Sequence, residues 1–331
     1  MKKRATTRKM LLLSCWGLVS ALISVSTPVA GADFPTKNIT IVTPFPPGST
    51  SDLIPRLVSQ IMSQSMGVSV IVENRPGANG SMGAIKVAAS PPDGYTVLMA
   101  TTGVLAINQW IYPKLQYSPE KDFEPVIIAA ATPNLLVVSP NVKANNLKEL
   151  IVLAKATPGE LTFASAGNGS TSHLCGESLK VAAGIDIVHV PYQGPAPAVQ
   201  DVLSGRVTMM CDNLSNVIQH VRAGRLKAIV VTSRERNPQA SDIPTSVDAG
   251  LPDLEAGIWY SFVVPAGTPK DVVNKLNTEF AKALHDPAAT AKLESLGMKI
   301  VADKPEEFRQ FAAREAARMQ KVVKASGAQV N

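Results

Sequence analysis

The sequence predicts an α/β protein built as two lobes, each a mainly parallel sheet flanked by helices, with two strands crossing between them. Three observations predict it. Short β-branched segments alternate with stretches of helical periodicity, the mark of βαβ units and parallel sheets. The alternation comes in two sets, one early in the chain and one in its middle. Two apolar extended segments, residues 134–139 and 259–265, lie where the chain would leave the first set and return to it.

Taken in order, residues 38–42 read as a strand. Residues 50–66 read as a helix with Leu53, Ile54, Leu57, Val58 and Ile61 at helical spacing. A strand at 68–72, a helix at 81–89 and a strand at 95–100 come after it. The middle set runs helix 147–156, strand 161–164, helix 171–183 and strand 187–190. It continues with helix 196–203, strand 207–210, helix 214–223 and strand 226–231. A strand at 258–264 and a helix at 270–284 come next. The last helix, 305–325, turns Phe308, Phe311, Met319, Val322 and Val323 toward one face. The first lobe is then residues 33–133 plus 262–331, and the second is 134–261.

Ahead of these elements, residues 1–9 carry five positive charges and no acid, and residues 10–25 are mostly apolar. Pro28 and the triplet Ala30-Gly31-Ala32 come next. That order is a secretory signal peptide, residues 1–32, with cleavage before Asp33. A retained anchor would need about 20 apolar residues, and the run is shorter. A lipidated Cys15 would leave only residues 10–14 as its apolar segment. The leader also carries Lys2, Lys3, Arg4, Arg8 and Lys9, so its loss lowers the net charge from +6 to +1. The basic pI therefore implies no nucleic-acid or anionic-membrane partner. No second apolar run could span a bilayer, and the expected location is the periplasm.

Export leaves Cys175 and Cys211 in a compartment that permits disulfides. A bridge and two buried apolar thiols are both open. Neither the cysteines nor the histidines at 173, 189, 220 and 285 show a metal-ligand spacing. No metal and no cofactor is expected.

The chemistry lies in the loop after each strand. The first strand leads into Thr43-Pro44-Phe45-Pro46-Pro47-Gly48-Ser49-Thr50-Ser51-Asp52, opening a helix. Residues 74–81 and 165–171 repeat the device, and Pro191-Tyr192-Gln193-Gly194 closes a later strand. A helix start offers free N–H groups and a positive dipole end, which favour an anion. One such loop often does no more than cap its helix; four of them, on both lobes, point to a ligand between the lobes.

Catalytic readings fail. Residues 167–172 lack the third glycine of a dinucleotide fingerprint, and no phosphate loop or nucleophile elbow occurs. Ser170 and His173 could be imagined as a nucleophile and its base, but a histidine packed in a first helical turn is the simpler reading. Asp52 and Asp212 fit a helix-cap pattern, with recognition of a ligand amine as the other option. Arg75, the one cation in these loops, reads as a loop brace.

Many ordered stretches, among them PFPPGSTSD, VENRPGANGSMGA, PPDGYTVLMATTG, FASAGNGSTSHL, VPYQGPAPAVQDVLSGRV and IPTSVDAGLP, together resemble the Bug-type (tripartite tricarboxylate transporter) substrate-binding proteins. The resemblance covers essentially the whole mature length. It implies a two-lobed periplasmic-binding-protein fold, type II-like, with no enzymatic activity. It also implies a small carboxylate ligand, an integral-membrane permease of the tripartite tricarboxylate type as partner, and a monomer. The carboxylate would be held through N–H groups, hydroxyls and waters of two loops. Those loops here offer Phe45, Gly48, Ser49, Thr50 and Asp52 on one side and Ser165, Gly167, Gly169, Ser170 and Thr171 on the other. Thr101 and Tyr192 would lie alongside, and Asp212 completes the candidate set. Ser49 and Asn79 stand where the family usually has glycine, Gln109-Trp110 where a Pro-Ser pair is frequent, and Cys211 where an aromatic is common. A periplasmic enzyme or sensor-feeding receptor on the same scaffold is the alternative.

Overall fold

Strands and helices alternate in the computed structural model, which describes residues 34–328; the expected leader and its junction at Asp33 lie outside the described residues. β1 (Ile39–Thr43) leads to α1 (Thr50–Met66), β2 (Val70–Asn74), α2 (Ser81–Ala88) and β3 (Thr96–Thr101). A π-helical turn at Gly103–Ile107 runs into α3 (Asn108–Ile111), and then β4 (Phe123–Val138). The middle of the chain forms α4 (Leu147–Ala156), β5 (Thr162–Ser165), α5 (Thr171–Ala183) and β6 (Val188–Pro191). It goes on through α6 (Pro195–Leu203), β7 (Met209–Asn213), α7 (Leu214–Arg222) and β8 (Lys227–Val231). β9 (Gly257–Pro265), α8 (Lys270–Leu284), α9 (Pro287–Glu294), β10 (Lys299–Ile300) and α10 (Pro305–Ser326) complete it.

The expectation of mainly parallel sheets holds for β1, β2 and β3, and for β5, β6 and β7. It fails in the middle, where the sheet is mixed. β9 pairs antiparallel with both β3 and β4, and β4 pairs antiparallel with β7 and β8. The cause is topological. A strand that leaves one sheet for the next and a strand that comes back run opposite ways, so their ladder is antiparallel.

β4 is that outgoing strand, and it is longer than the segment 134–139 expected from sequence. Phe123 to Pro133 pair with β9, and Asn134 to Val138 pair with β7 and β8. Pro125 and Pro133 hide its first half, because proline argues against a central strand; the register shift between Pro125 and Ile127 accommodates one of them. The return crossing also differs from expectation. Residues 259–265 pair wholly within the first sheet, and partners change between Ala256 and Gly257. There Asn134 N–H donates to Ala256 O at 3.0 Å, and Ala256 N–H donates to Thr232 O at 3.1 Å. A Cβ on Gly257 would lie 2.8 Å from Thr132 O, so glycine permits the two crossing strands to touch.

Side chains then sort by strand alternation. Leu136 and Val138 enter one cluster with Phe163, Cys175, Met209 and Cys211, while Leu135 and Val137 enter another with Ala164, Met210 and Leu214. In the first sheet Val42, Leu98, Ala100 and Trp259 pack against α2 and α10. α10 buries Phe308, Met319 and Val323, as its spacing predicts, with Phe311 and Val322 half-buried beside them. Phe308 and Phe311 both meet the Trp259 ring edge-on, at centroid distances of 5.8 and 5.5 Å.

Cys175 of α5 and Cys211 of β7 are joined in a disulfide, with their Cα atoms 5.9 Å apart. The bridge fastens the helix that opens from the Gly/Ser loop to the next strand of the same sheet. Closing a loop of 36 residues removes unfolded-state entropy worth roughly 3–4 kcal/mol. Denatured, unreduced mature protein should therefore show no free thiol, and Cys175→Ala/Cys211→Ala should lower unfolding stability by about that amount. Two free thiols on unreduced protein would overturn the assignment.

Candidate ligand-binding cleft

The loop after β1 is shaped by a carboxylate. Asp52 accepts hydrogen bonds from Gly48 N–H at 2.9 Å, Arg56 Nε at 2.8 Å and Asn74 Nδ2 at 2.8 Å. Burial alone would raise its pKa, but these bonds outweigh it and hold the carboxyl below its usual range. Asn74 also donates to Phe45 O at 3.0 Å, so the loop is drawn onto the end of β2. Asp52 thus organises the loop from beneath, with its oxygens already engaged. Ser49 begins α1, and its hydroxyl donates to Pro46 O at 2.8 Å. Gly48, at φ 80°, takes the turn that this geometry requires.

The loop after β2 holds Gly77, Ala78, Asn79 and Gly80 in succession at positive φ. A Cβ on Gly80 would lie 2.6 Å from Val104 and 3.4 Å from Phe45, so this loop packs directly on the first. Arg75 bonds Glu73 beside it and is largely exposed, a brace as expected.

The Gly/Ser loop before α5 is held by two histidines. Gly169 N–H donates to His173 Nδ1 at 3.2 Å, and Ser165 Oγ lies 2.7 Å from His189 Nε2. The two rings stack with centroids 4.0 Å apart, and His189 stacks in turn on Phe163. Burial pushes His173 down to about 3, helped by His189 and Lys180, and pushes His189 down to about 4. Both are neutral at physiological pH. Ser170 caps α5, accepting from His173 N–H at 3.2 Å and donating to Gly167 O at 2.6 Å. With His173 Nδ1 occupied by Gly169, the ring is no base for Ser170.

The Tyr192 hydroxyl donates to Asp201 of α6 at 2.7 Å, so the ring is held by the helix that follows it. Its backbone braces the Gly/Ser loop, since Tyr192 N–H donates to Ser165 O at 3.1 Å and keeps Gly167 close to the Tyr192 carbonyl. Thr171 Oγ1 donates to Asn213 at 3.2 Å. Thr101 sits buried at the end of β3, opposite Tyr260 in the ladder.

The two sets of loops meet. Thr50 Oγ1 lies 3.3 Å from Asn216 Oδ1 of α7, and Asn79 Nδ2 lies 2.9 Å from Gly169 O. Asn216 in turn donates to Asp212 at 2.9 Å. Tyr260, fully buried on β9, interacts with Asp212, Ser215 and Thr50. Thr43 Oγ1 is buried with no hydrogen-bond partner in the protein, a polar group that a bound molecule or water would satisfy. Sequence reasoning placed Thr43 and Asn79 in the candidate loops without a role of their own, and missed Asn108, Ser215, Asn216 and Tyr260. Tyr260 reads locally as strand core, and the polar residues as caps. Their convergence is visible only once β9 and α7 are placed.

Burial pushes the Asp212 carboxyl up to about 6, against lowering bonds from Asn216 and Asn213 N–H. A folded-state value above the ordinary 3.8 means the folded protein holds this proton more tightly. Its contribution to stability is therefore complete below about pH 4 and is lost as pH rises through about 6. Asp212→Asn removes that dependence, while Asp303, also pushed up to about 6 by burial, titrates in both proteins. Wild-type stability in denaturant should fall relative to Asp212→Asn between pH 4 and 7. Parallel profiles would contradict a buried, destabilised carboxylate.

Residues 54–328 match the model of the tripartite tricarboxylate transporter family receptor, TctC. Among solved structures, Rpa4515 of R. palustris with adipate is 37% identical, covering 90% of this chain and 100% of that one at a TM-score of 0.84. MatC (Rpa3494) of Rhodopseudomonas palustris with bound malate is 33% identical, covering 88% and 100% at 0.81. The periplasmic binding protein BugD is 33% identical, covering 89% and 99% at 0.81. The chain belongs to the tripartite tricarboxylate transporter receptor family, as a solute-binding protein of the Bug type.

Proposed function

We propose that this receptor captures a small carboxylate in the cleft between two lobes and presents it to a tripartite tricarboxylate-type membrane permease. It would act as a monomer in the periplasm after cleavage before Asp33. One observation carries the reading: the start of α1 meets α7 through Thr50–Asn216, and the loop after β2, packed on the loop that opens α1, meets the loop that opens α5 through Asn79–Gly169. A carboxylate between them meets helix N-termini, and the cations closest in sequence, Arg56 and Arg75, are paired with Asp52 and Glu73. Charge-assisted bonds contribute roughly 1.5–3 kcal/mol each, so four or five contribute about 6–15 kcal/mol, a range that spans the ~8 kcal/mol of micromolar affinity. The ligand set is the backbone and hydroxyls of Phe45, Gly48, Ser49 and Thr50, with Thr101, Ser165, Gly167, Gly169, Ser170 and Thr171. Asp52 and Tyr192 shape the loops, and Asp212 lies beneath them.

The lobes are the first sheet with its helices and the second with its own, hinged where β4 crosses at Pro133–Asn134 and the chain returns at Ala256–Gly257. Each lobe supplies half of the donors, so the ligand favours the closed form by its contacts to the second lobe. Malate and adipate, bound by relatives, are the first carboxylates to screen. A bound carboxylate should raise Tm and reduce the radius of gyration, on the order of 1 Å for a hinge closure of this class. Ligand released from natively purified protein should be a carboxylate by mass spectrometry. A co-purified ligand without a carboxylate, or unchanged scattering at saturation, would contradict the reading.

A further inference from the structure

The Asn79 side chain joins the two sets of loops directly. Its side-chain amide donates to Asn108 Oδ1 at 2.9 Å within the first lobe and to Gly169 O at 2.9 Å in the Gly/Ser loop. Both ends are prepared for it. On the near side, Asn108 Nδ2 lies 3.1 Å from Asn79 O, 3.2 Å from Ser81 Oγ and 3.1 Å from the Tyr117 hydroxyl, and that hydroxyl donates to Val104 O at 2.7 Å. The backbone at Asn79 is left-handed (φ 49°, ψ 41°), next to Ala78 at φ 45°. Such conformations persist only where the surroundings over-determine them, and asparagine tolerates them better than most residues. On the far side, Gly169 N–H donates to His173 Nδ1 and Ser170 N–H donates to Gly167 O at 3.1 Å, so both peptides flanking Gly169, including the one whose carbonyl Asn79 meets, are held in direction. Gly169 has no side chain to obstruct the approach; a Cβ there would stand 3.3 Å from Asn79 Nδ2.

We propose that Asn79 is a positioning residue for ligand binding, a latch whose amide holds the Gly/Ser loop against the first lobe and raises the closed population of the empty receptor. The latch rests on the receptor reading above. A receptor whose competent form is only fractionally populated binds more weakly by that fraction, so a latch that favours closure tightens binding. It does so with a neutral group, leaving the helix N-termini free for the anion.

The test uses full-length mature protein and two variants. Asn79→Gly removes the amide and keeps a backbone at ease with positive φ. Asn79→Asp keeps the shape but sets a carboxylate against the Gly169 carbonyl. Both should enlarge the radius of gyration of ligand-free protein, speed amide exchange at Gly169 and Ser170, and weaken adipate or malate binding, by about two- to tenfold in Asn79→Gly. Circular dichroism confirms that each is folded; if Asn79→Asp is not, Asn79→Gly alone decides. Unchanged ligand-free scattering and exchange in a folded Asn79→Gly, or tighter binding, would overturn the latch. The receptor reading fails separately, if wild type binds no carboxylate; ligand-free scattering and exchange still report on the latch in that case.

Discussion

The antiparallel ladder between β4 and β9 is the constraint on which the remaining structure depends. β4 is a single strand of sixteen residues whose first part belongs to one sheet and whose last five residues belong to the other. Because β1 and β3 run with β4 while β5 and β7 run against it, the carboxyl ends of all four strands point toward its crossing, and the loops that follow them are brought to one region. Thr232 fastens the crossing: its N–H donates to Asn134 O at 2.9 Å, and its hydroxyl lies near both Asn134 O and Ala256 O. Few backbone angles separate the two halves there, which is the condition for a hinge.

That shared strand sets the chemistry of the cleft. Anion recognition by backbone requires N–H groups fixed in space, and each loop is fixed from behind by a buried polar group. Asp52 gathers Gly48, Arg56 and Asn74 under the first loop. The stacked pair His173 and His189 performs the same task under the second, with the disulfide at Cys175 anchoring the next turn of α5. Charged and titratable groups here serve as scaffolding. Burial keeps the imidazoles neutral, so the donors of this loop carry no formal charge.

Local signals in the sequence carry the elements and the loops. Ser170 caps α5 because serine before a helical pattern does so in most contexts, and the Phe308–Val323 face of α10 comes from spacing alone. The features that stay hidden depend on distant partners. Pro125 and Pro133 mask the first half of β4, because a proline counts against a strand until its register is known. Asp52 reads equally as a cap or a ligand until Asn74, across β1, is placed where it donates to it. The pairing of the Tyr192 hydroxyl with Asp201 is equally hidden until α6 turns that carboxylate back onto the loop. Tyr260 lies inside a segment expected to cross between lobes, and only the β3–β9 register sets it against Thr101.

The central claim is that one carboxylate is held at once by the helix starts of α1 and α5. Backbone amide resonances of Thr50, Ser51, Thr171 and Ser172 report on it directly, recorded by nuclear magnetic resonance as adipate or malate is added to labelled protein. Both pairs should move together, saturate at the same ligand concentration, and shift in the direction of a strengthened hydrogen bond. Movement at only one helix start, or at the Arg75 side chain with both starts still, would contradict it.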